Sequence, residues 1–222
     1  AIVDVDVIGI PDDLVGPIRQ AVNDLTGIPG GNVRVSASHT HSAGNLEPGF
    51  YPEGREMIEP YVAALPHRIA GAVWEAQRRL RPARLGVGMG RSSVGVNRRL
   101  WHDLQNRIIL GRNWKGFVDH DLLVARIDDE DERPIATIVC YGCHPTIMAH
   151  LNAMVTPDFP GVLRRTVEAT VGGTCLFLQG AAGNVHPKET YSSRRDDYYR
   201  VGRILGLEAS AVALQIETLP KV

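Results

Sequence analysis

Cysteine is scarce: Cys140, Cys143 and Cys175 are the only three in 222 residues. An odd count set in apolar, strand-like runs excludes a disulfide framework and predicts buried thiols. Cys140 and Cys143 have a redox-like spacing, but three residues apart on a strand they face opposite sides. An excess of charge is also missing, with 24 Lys and Arg against 25 Asp and Glu. No global field therefore points to nucleic acid or an anionic membrane as the partner. The pairs Arg78-Arg79 and Arg194-Arg195 read as solvated helix faces. No run nears the roughly 18 apolar residues of a membrane-spanning helix, and the opening residues lack the basic-then-apolar pattern of a signal peptide. The acidic turn from Asp128 to Arg133 is too short for an EF-hand loop and has no glycine at a sharp bend. Gly180 to Gly183 lack the Lys-Ser/Thr and the spacing of a Walker phosphate loop.

The length suits one domain with a sizeable core, taken as residues 1–222. Ala1 to Ile10 is a β-branched run suited to a buried strand. It begins with no lead-in, so the numbering is expected to open inside a larger protein and the domain to be incomplete at both ends. Pro11-Asp12-Asp13 starts a helix whose Leu14, Ile18, Val22 and Leu25 recur at helical spacing up to Gly27. Asn32 to Ser38 is a second strand. The long loop from Gly44 to Gly54 is expected to flank a binding site. A helical stripe runs from about Met57 to Leu80, with Pro60 and Pro66 expected to kink or restart it. Arg84 to Met89 is a short strand, and Gly95 to Leu100 follows as a loop. Asp119 to Asp128 and Pro134 to Tyr141 form a hairpin across the acidic turn. Helices from Asp158 and from Arg195 flank a strand over Thr174 to Gln179. Strands alternating with helices predict an α/β layered domain with a mixed, mostly parallel sheet flanked by helices.

In such sheets ligands sit beyond the carboxyl ends of the strands. His39, His41, His144 and His186 all fall just after expected strand exits. His39 and His41 lie in Ser36-Ala37-Ser38-His39-Thr40-His41-Ser42, and period two would put both on one strand face, close enough to share a cation. A bare His-x-His also occurs as ordinary polar residues at strand ends. Asp158 is a candidate cap for the helix beginning near Pro160.

Six blocks, SASHTHS (Ser36 to Ser42), VNRRL (Val96 to Leu100), VDHDLLVARIDD (Val118 to Asp128 with its flank), YGCHPT (Tyr141 to Thr146), PDFPG (Pro157 to Gly161) and FLQGAAGNVHP (Phe177 to Pro187), occur in order along the chain. In this it resembles the neutral/alkaline, non-lysosomal ceramidase family. The resemblance implies a zinc-dependent amidase that cleaves the N-acyl bond of ceramide to a sphingoid base and a fatty acid. It implies His39 and His144 as zinc ligands, and His41 and Arg98 as groups facing the substrate or its developing oxyanion. These residue types suit that chemistry: neutral imidazoles hold zinc in an incomplete shell, and the open position polarises a carbonyl or acidifies a water. A nearby arginine can pair with the charge that develops.

Two departures from the family pattern shape the remaining expectations. The block in which the family carries a catalytic serine is Gly183-Asn184-Val185-His186-Pro187 here, which puts His186 at the serine position, a candidate general base or further ligand. The family completes its zinc shell with a glutamate and a tyrosine well downstream, beyond Val222. A further polypeptide segment or subunit is therefore expected to complete the site, and the resemblance implies a secreted or periplasmic setting. The expected partner is a small-molecule or lipid amide. A zinc hydrolase of another amide or ester is the second expectation, and a non-catalytic binding or assembly domain the third.

Overall fold

A computed structural model of the chain describes residues 1–47 and 54–220. The β-branched opening run forms strand β1 (Ile2–Val5). Helix α1 (Asp12–Thr26) follows Pro11, with Asp12 and Asp13 in its first turn where carboxylates complement the helix dipole. Leu14, Ile18 and Val22 make its buried stripe, and Gly27 ends it at φ 73°, a left-handed conformation that glycine adopts without a Cβ clash. Strand β2 (Arg34–Ala37) then lies parallel to β1. Helix α2 (Arg55–Arg78) runs on through Pro60 and Pro66 as one element rather than restarting. Its Leu65, Ile69 and Val73 are buried in the same cluster as the α1 stripe, and this packing outweighs the hydrogen bonds the prolines cannot make.

The rest of the chain runs β3 (Arg84–Arg91), β4 (Gly95–His102), β5 (Arg107–Asn113), β6 (Asp121–Asp128), β7 (Pro134–Tyr141), α3 (Phe159–Val171), β8 (Thr174–Gln179), β9 (Val185–Pro187), α4 (Arg195–Ala213) and β10 (Leu219–Pro220). One sheet has the order β10-β3-β6-β7-β8 and another the order β5-β4-β9. The α/β layering and the mixed sheet are as expected, but the pairing is mostly antiparallel. Among the described strands only β1–β2 and β7–β8 pair parallel. The reason is connection length: those two pairs are joined through helices α1 and α3, whereas β6–β7 and β4–β5 are joined by short turns that permit only antiparallel neighbours. Residues 95–100, expected as a loop, belong to strand β4. Pairing with β5 on one side and β9 on the other satisfies its backbone, and its first three residues are buried.

Strand β3 owes its place to glycine. A Cβ on Gly86 would strike Ile216 and come within 2.5 Å of the Glu217 carbonyl, one on Gly88 would lie 2.9 Å from Ile216, and one on Gly90 would lie 2.6 Å from Val212. The alternate residues Leu85, Val87 and Met89 point to the other, exposed face. Two hydrophobic clusters result. The larger, around Tyr141, Phe159, Leu163, Phe177 and Leu205, fills the space between the five-stranded sheet, α3 and α4. The smaller, around Ile18, Val22, Leu46 and Ile69, joins β1, β2, α1 and α2. Arg164 of α3 spans the seam between them, donating to Asp4 at 2.8 Å and Asp6 at 2.6 Å. All three cysteines are free thiols, with Cys143 and Cys175 buried.

Candidate metal centre

Strand β2 stops at Ala37, so the pleat does not align the two histidines that follow. The alignment comes from His39 itself, whose backbone is left-handed at φ 64°. That conformation costs a non-glycine residue about 1 kcal/mol or more, and the surrounding hydrogen bonds hold it. The Ser38 and His39 amides donate to the Val5 and Val7 carbonyls at 2.9 and 3.1 Å, and the His41 amide donates to the Pro145 carbonyl at 3.1 Å. The buried Thr40 hydroxyl donates to the Thr156 carbonyl at 2.8 Å. His144 lies just beyond β7, where its amide donates to the Val185 carbonyl at 3.1 Å. Two distant parts of the chain thus deliver imidazoles to the seam between the two clusters.

There the rings face one another. The Nε2 atoms of His39 and His144 are 3.1 Å apart, and those of His39 and His41 are 3.4 Å apart. His39 Nδ1 lies 2.6 Å from the Ile8 carbonyl oxygen, and His144 Nδ1 lies 2.6 Å from that of Ala182. A carbonyl only accepts, so each Nδ1 carries the proton and each Nε2 presents a lone pair. Two lone pairs at this separation repel unless a cation or proton lies between them. Burial pushes His41 down to about 4, helped by the neighbouring His39 ring and the Arg98 charge, and burial with the Arg98 charge does the same to His144. Both rings are therefore neutral at neutral pH, the form that ligates a metal. Nitrogen ligands at zinc distances in a tetrahedral shell stand about 3.3 Å apart. The three rings fit a zinc-like ion on these grounds. Each offers a ligand atom within 4.8 Å of the others, and among the described residues no carboxylate or thiol joins them.

Arg98 enters from β4, its amide donating to the Asn184 carbonyl at 2.8 Å and its Nε to the Gly183 carbonyl at 3.1 Å. Its charge acts on His41, His144 and His186, and burial lowers its own pKa from the usual arginine range. His186 stands apart from the three-ring cluster. It is buried on β9 opposite Val96, pushed down to about 4 by burial and by Arg112 and Arg98, and its Nε2 has no hydrogen-bond partner among the described residues. Asp158 is the helix cap the sequence suggested. Its carboxylate accepts from the Phe159 amide at 2.6 Å and the Met148 amide at 2.9 Å, and burial raises it to about 6. Of the loop expected to flank a site, Gly44, Asn45 and Gly54 line a cavity of about 590 Å³ with Met57, Tyr61 and Val155, while residues 48–53 lie outside the described residues. The carbonyls of Ile8 and Ala182 and the hydroxyl of Thr40 were not foreseen, because main-chain acceptors leave no trace in residue types.

No family model matches the chain. Over 161 residues it is 24% identical to the neutral ceramidase of Oryza sativa subsp. japonica, a match covering 69% of this chain and 20% of that protein. The crystal structure of neutral ceramidase from Pseudomonas aeruginosa superposes with a TM-score of 0.71 at 25% identity, over 99% of this chain and 37% of that one. The chain resembles the neutral ceramidases in sequence and fold. A second solved structure, a ceramidase complexed with C2, superposes with a TM-score of 0.71 at 24% identity, over 99% of this chain and 36% of that one. This ceramidase-like chain spans about a fifth of the length of the curated relative and little more than a third of the solved ones. The resemblance expected from the six sequence blocks is met in sequence and in fold.

Proposed function

We propose that this ceramidase-like chain forms the metal-binding part of a zinc-dependent hydrolase that cleaves an N-acyl amide bond, with ceramide as the substrate class. The observation that carries the reading is the convergence of His39, His41 and His144, with the Nε2 lone pairs of His39 and His144 fixed toward each other at 3.1 Å by backbone acceptors on Nδ1. His39 and His144 hold the ion. Zinc bound there would act as a Lewis acid on the acyl carbonyl and bring the pKa of a water to about 7. The guanidinium of Arg98, always charged, stabilises the negative charge that develops on the acyl oxygen. His41, neutral and 3.4 Å from His39, faces the substrate side and donates to or accepts from the reacting group. His186 takes the position of the family's serine as a neutral imidazole with one unengaged nitrogen. The cavity of about 590 Å³ beginning two residues beyond His41 is lined mainly by apolar side chains and suits an acyl chain. With His41 on the substrate side, a further segment or subunit supplies the remaining ligand, since catalytic zinc usually has three protein ligands.

Elemental analysis of the purified chain and three variants tests this. Zinc is expected to co-purify with the unaltered chain below one ion per chain while the outside ligand is missing, to be absent after His39→Ala or His144→Ala, and to be retained at the same level after His41→Ala. Loss of zinc in the His41 variant would move His41 onto the metal and remove the need for an outside ligand. Fatty-acid release is then compared between short-chain N-acylsphingosine and soluble amides and esters. His186 in the serine position favours a second reading, a zinc hydrolase of another amide or ester, and turnover of the soluble substrates alone would establish it. Zinc retention with no turnover of any of them would leave a binding or assembly domain.

A further inference from the structure

The near-neutral charge of the whole chain hides a segregated one. Between residues 91 and 117 there are six cations, Arg91, Arg98, Arg99, Arg107, Arg112 and Lys115, against the single carboxylate of Asp103. Arg91 pairs with Asp121 at 3.1 Å, but among the described residues no ion pair engages the other five. Three of these bond only neutral acceptors: Arg98 the Gly183 carbonyl, Arg107 the Gln105 amide oxygen, and Arg112 the Lys188 and Thr190 carbonyls. Their charge is left for something outside the chain.

The same segment exposes its large apolar side chains. In the β4–β5 hairpin Trp101 pairs with Ile108 and Arg99 with Leu110, which sets these four on one face. Trp101 is 54% exposed, Leu104 at the tip 94%, and beyond β5 Trp114 is 66% and Phe117 79% exposed. Leu100, on the opposite face, packs on Gly111, so the hairpin is ordered and has one free side. Tryptophan and aliphatic tips level with unpaired arginines match the interfacial layer of a bilayer, where rings sit among headgroups and guanidinium groups meet phosphate.

We propose that the β4–β5 hairpin and the turn after it form a docking surface for an anionic lipid bilayer. Leu104, Ile108 and Leu110 enter the acyl boundary, and Arg99, Arg107 and Lys115 meet headgroup phosphates. Nucleic acid, the other polyanion, could stack on Trp101, Trp114 and Phe117 but would leave the exposed Leu104, Ile108 and Leu110 in water, whereas a bilayer buries them. Arg98 lies on the same strand about 13 Å from the hairpin end, so docking holds it near the bilayer. The proposal needs no hydrolysis: binding is read without substrate, and its failure leaves the zinc and turnover assays untouched.

The test is co-sedimentation of the full chain with phosphatidylcholine vesicles, with and without phosphatidylglycerol. Binding is expected with phosphatidylglycerol, weakening as salt rises. Arg99→Gln and Arg107→Gln should each weaken it about fivefold, and Leu104→Asn should weaken it further, with unchanged melting curves because these side chains are exposed. No binding to either vesicle overturns the proposal. So does binding that the variants leave unchanged, or loss in the same variants of an oligonucleotide complex or of a self-association seen without vesicles.

Discussion

At His39 a left-handed backbone does the work the sequence pattern credited to a strand pleat. The histidines and Arg98 could be picked out as residue types, yet their convergence depends on carbonyls of Ile8 and Ala182, which every residue possesses and no sequence pattern marks. Asp158 was legible as a cap because aspartate before Phe-Pro-Gly has few other uses. Its second role was not: it also accepts from Met148, tying the segment after His144 to helix α3. Asp158→Asn keeps an acceptor for one amide but turns an NH₂ toward the other, and is expected to cost about 1–3 kcal/mol by urea denaturation. The pH dependence has a definite sign. Burial raises this carboxyl from 3.8 to about 6, so the folded state holds its proton more tightly and this group's contribution falls as pH rises from about 4 to about 6. The deficit of the Asn variant should therefore shrink over that interval, and a constant deficit would show that Asp158 titrates normally.

Among the elements, the hairpin β6–β7 was legible from alternation and from its acidic turn, as were α1 from its apolar spacing, α3 from the Asp158 start and β8 as an apolar run. Strand β4 was not, since Val96-Asn97-Arg98-Arg99 has no alternation to betray it; its order comes from β5 and β9, partners that lie later in the chain. The glycines of β3 were equally silent, because their role is to leave room for Ile216 and Val212 on a segment more than 120 residues away in sequence. Gly86→Ala meets backbone at Glu217 as well as the Ile216 side chain and should destabilise by about 1–3 kcal/mol. The same change at Gly9, where nothing lies within 4 Å, should be close to neutral. Thermal melts of the two variants compare crowding directly with the loss of glycine.

For the whole molecule, the expected dominance of parallel pairing failed because five of the nine connections between consecutive described strands carry no α-helix, and a sequence scan weighs helices more readily than turns. The seam between the two clusters was beyond the reach of sequence: it depends on Arg164 meeting Asp4 and Asp6 across some 160 residues of chain. Arg164→Ala strands the fully buried Asp4 and should cost about 3–5 kcal/mol. Because His39 and His144 lie on opposite sides of that seam, the variant should also bind zinc more weakly in a competition assay against a chromophoric chelator. The row of glycines in β3 bears on motion as well as fit. Each glycine leaves more backbone freedom to be lost on folding than alanine would, about 0.5–1 kcal/mol apiece, so β3 is ordered by what leans on it. Its amides should exchange with solvent in step with those of α4, as one cooperative opening unit, while β7 and β8 stay protected.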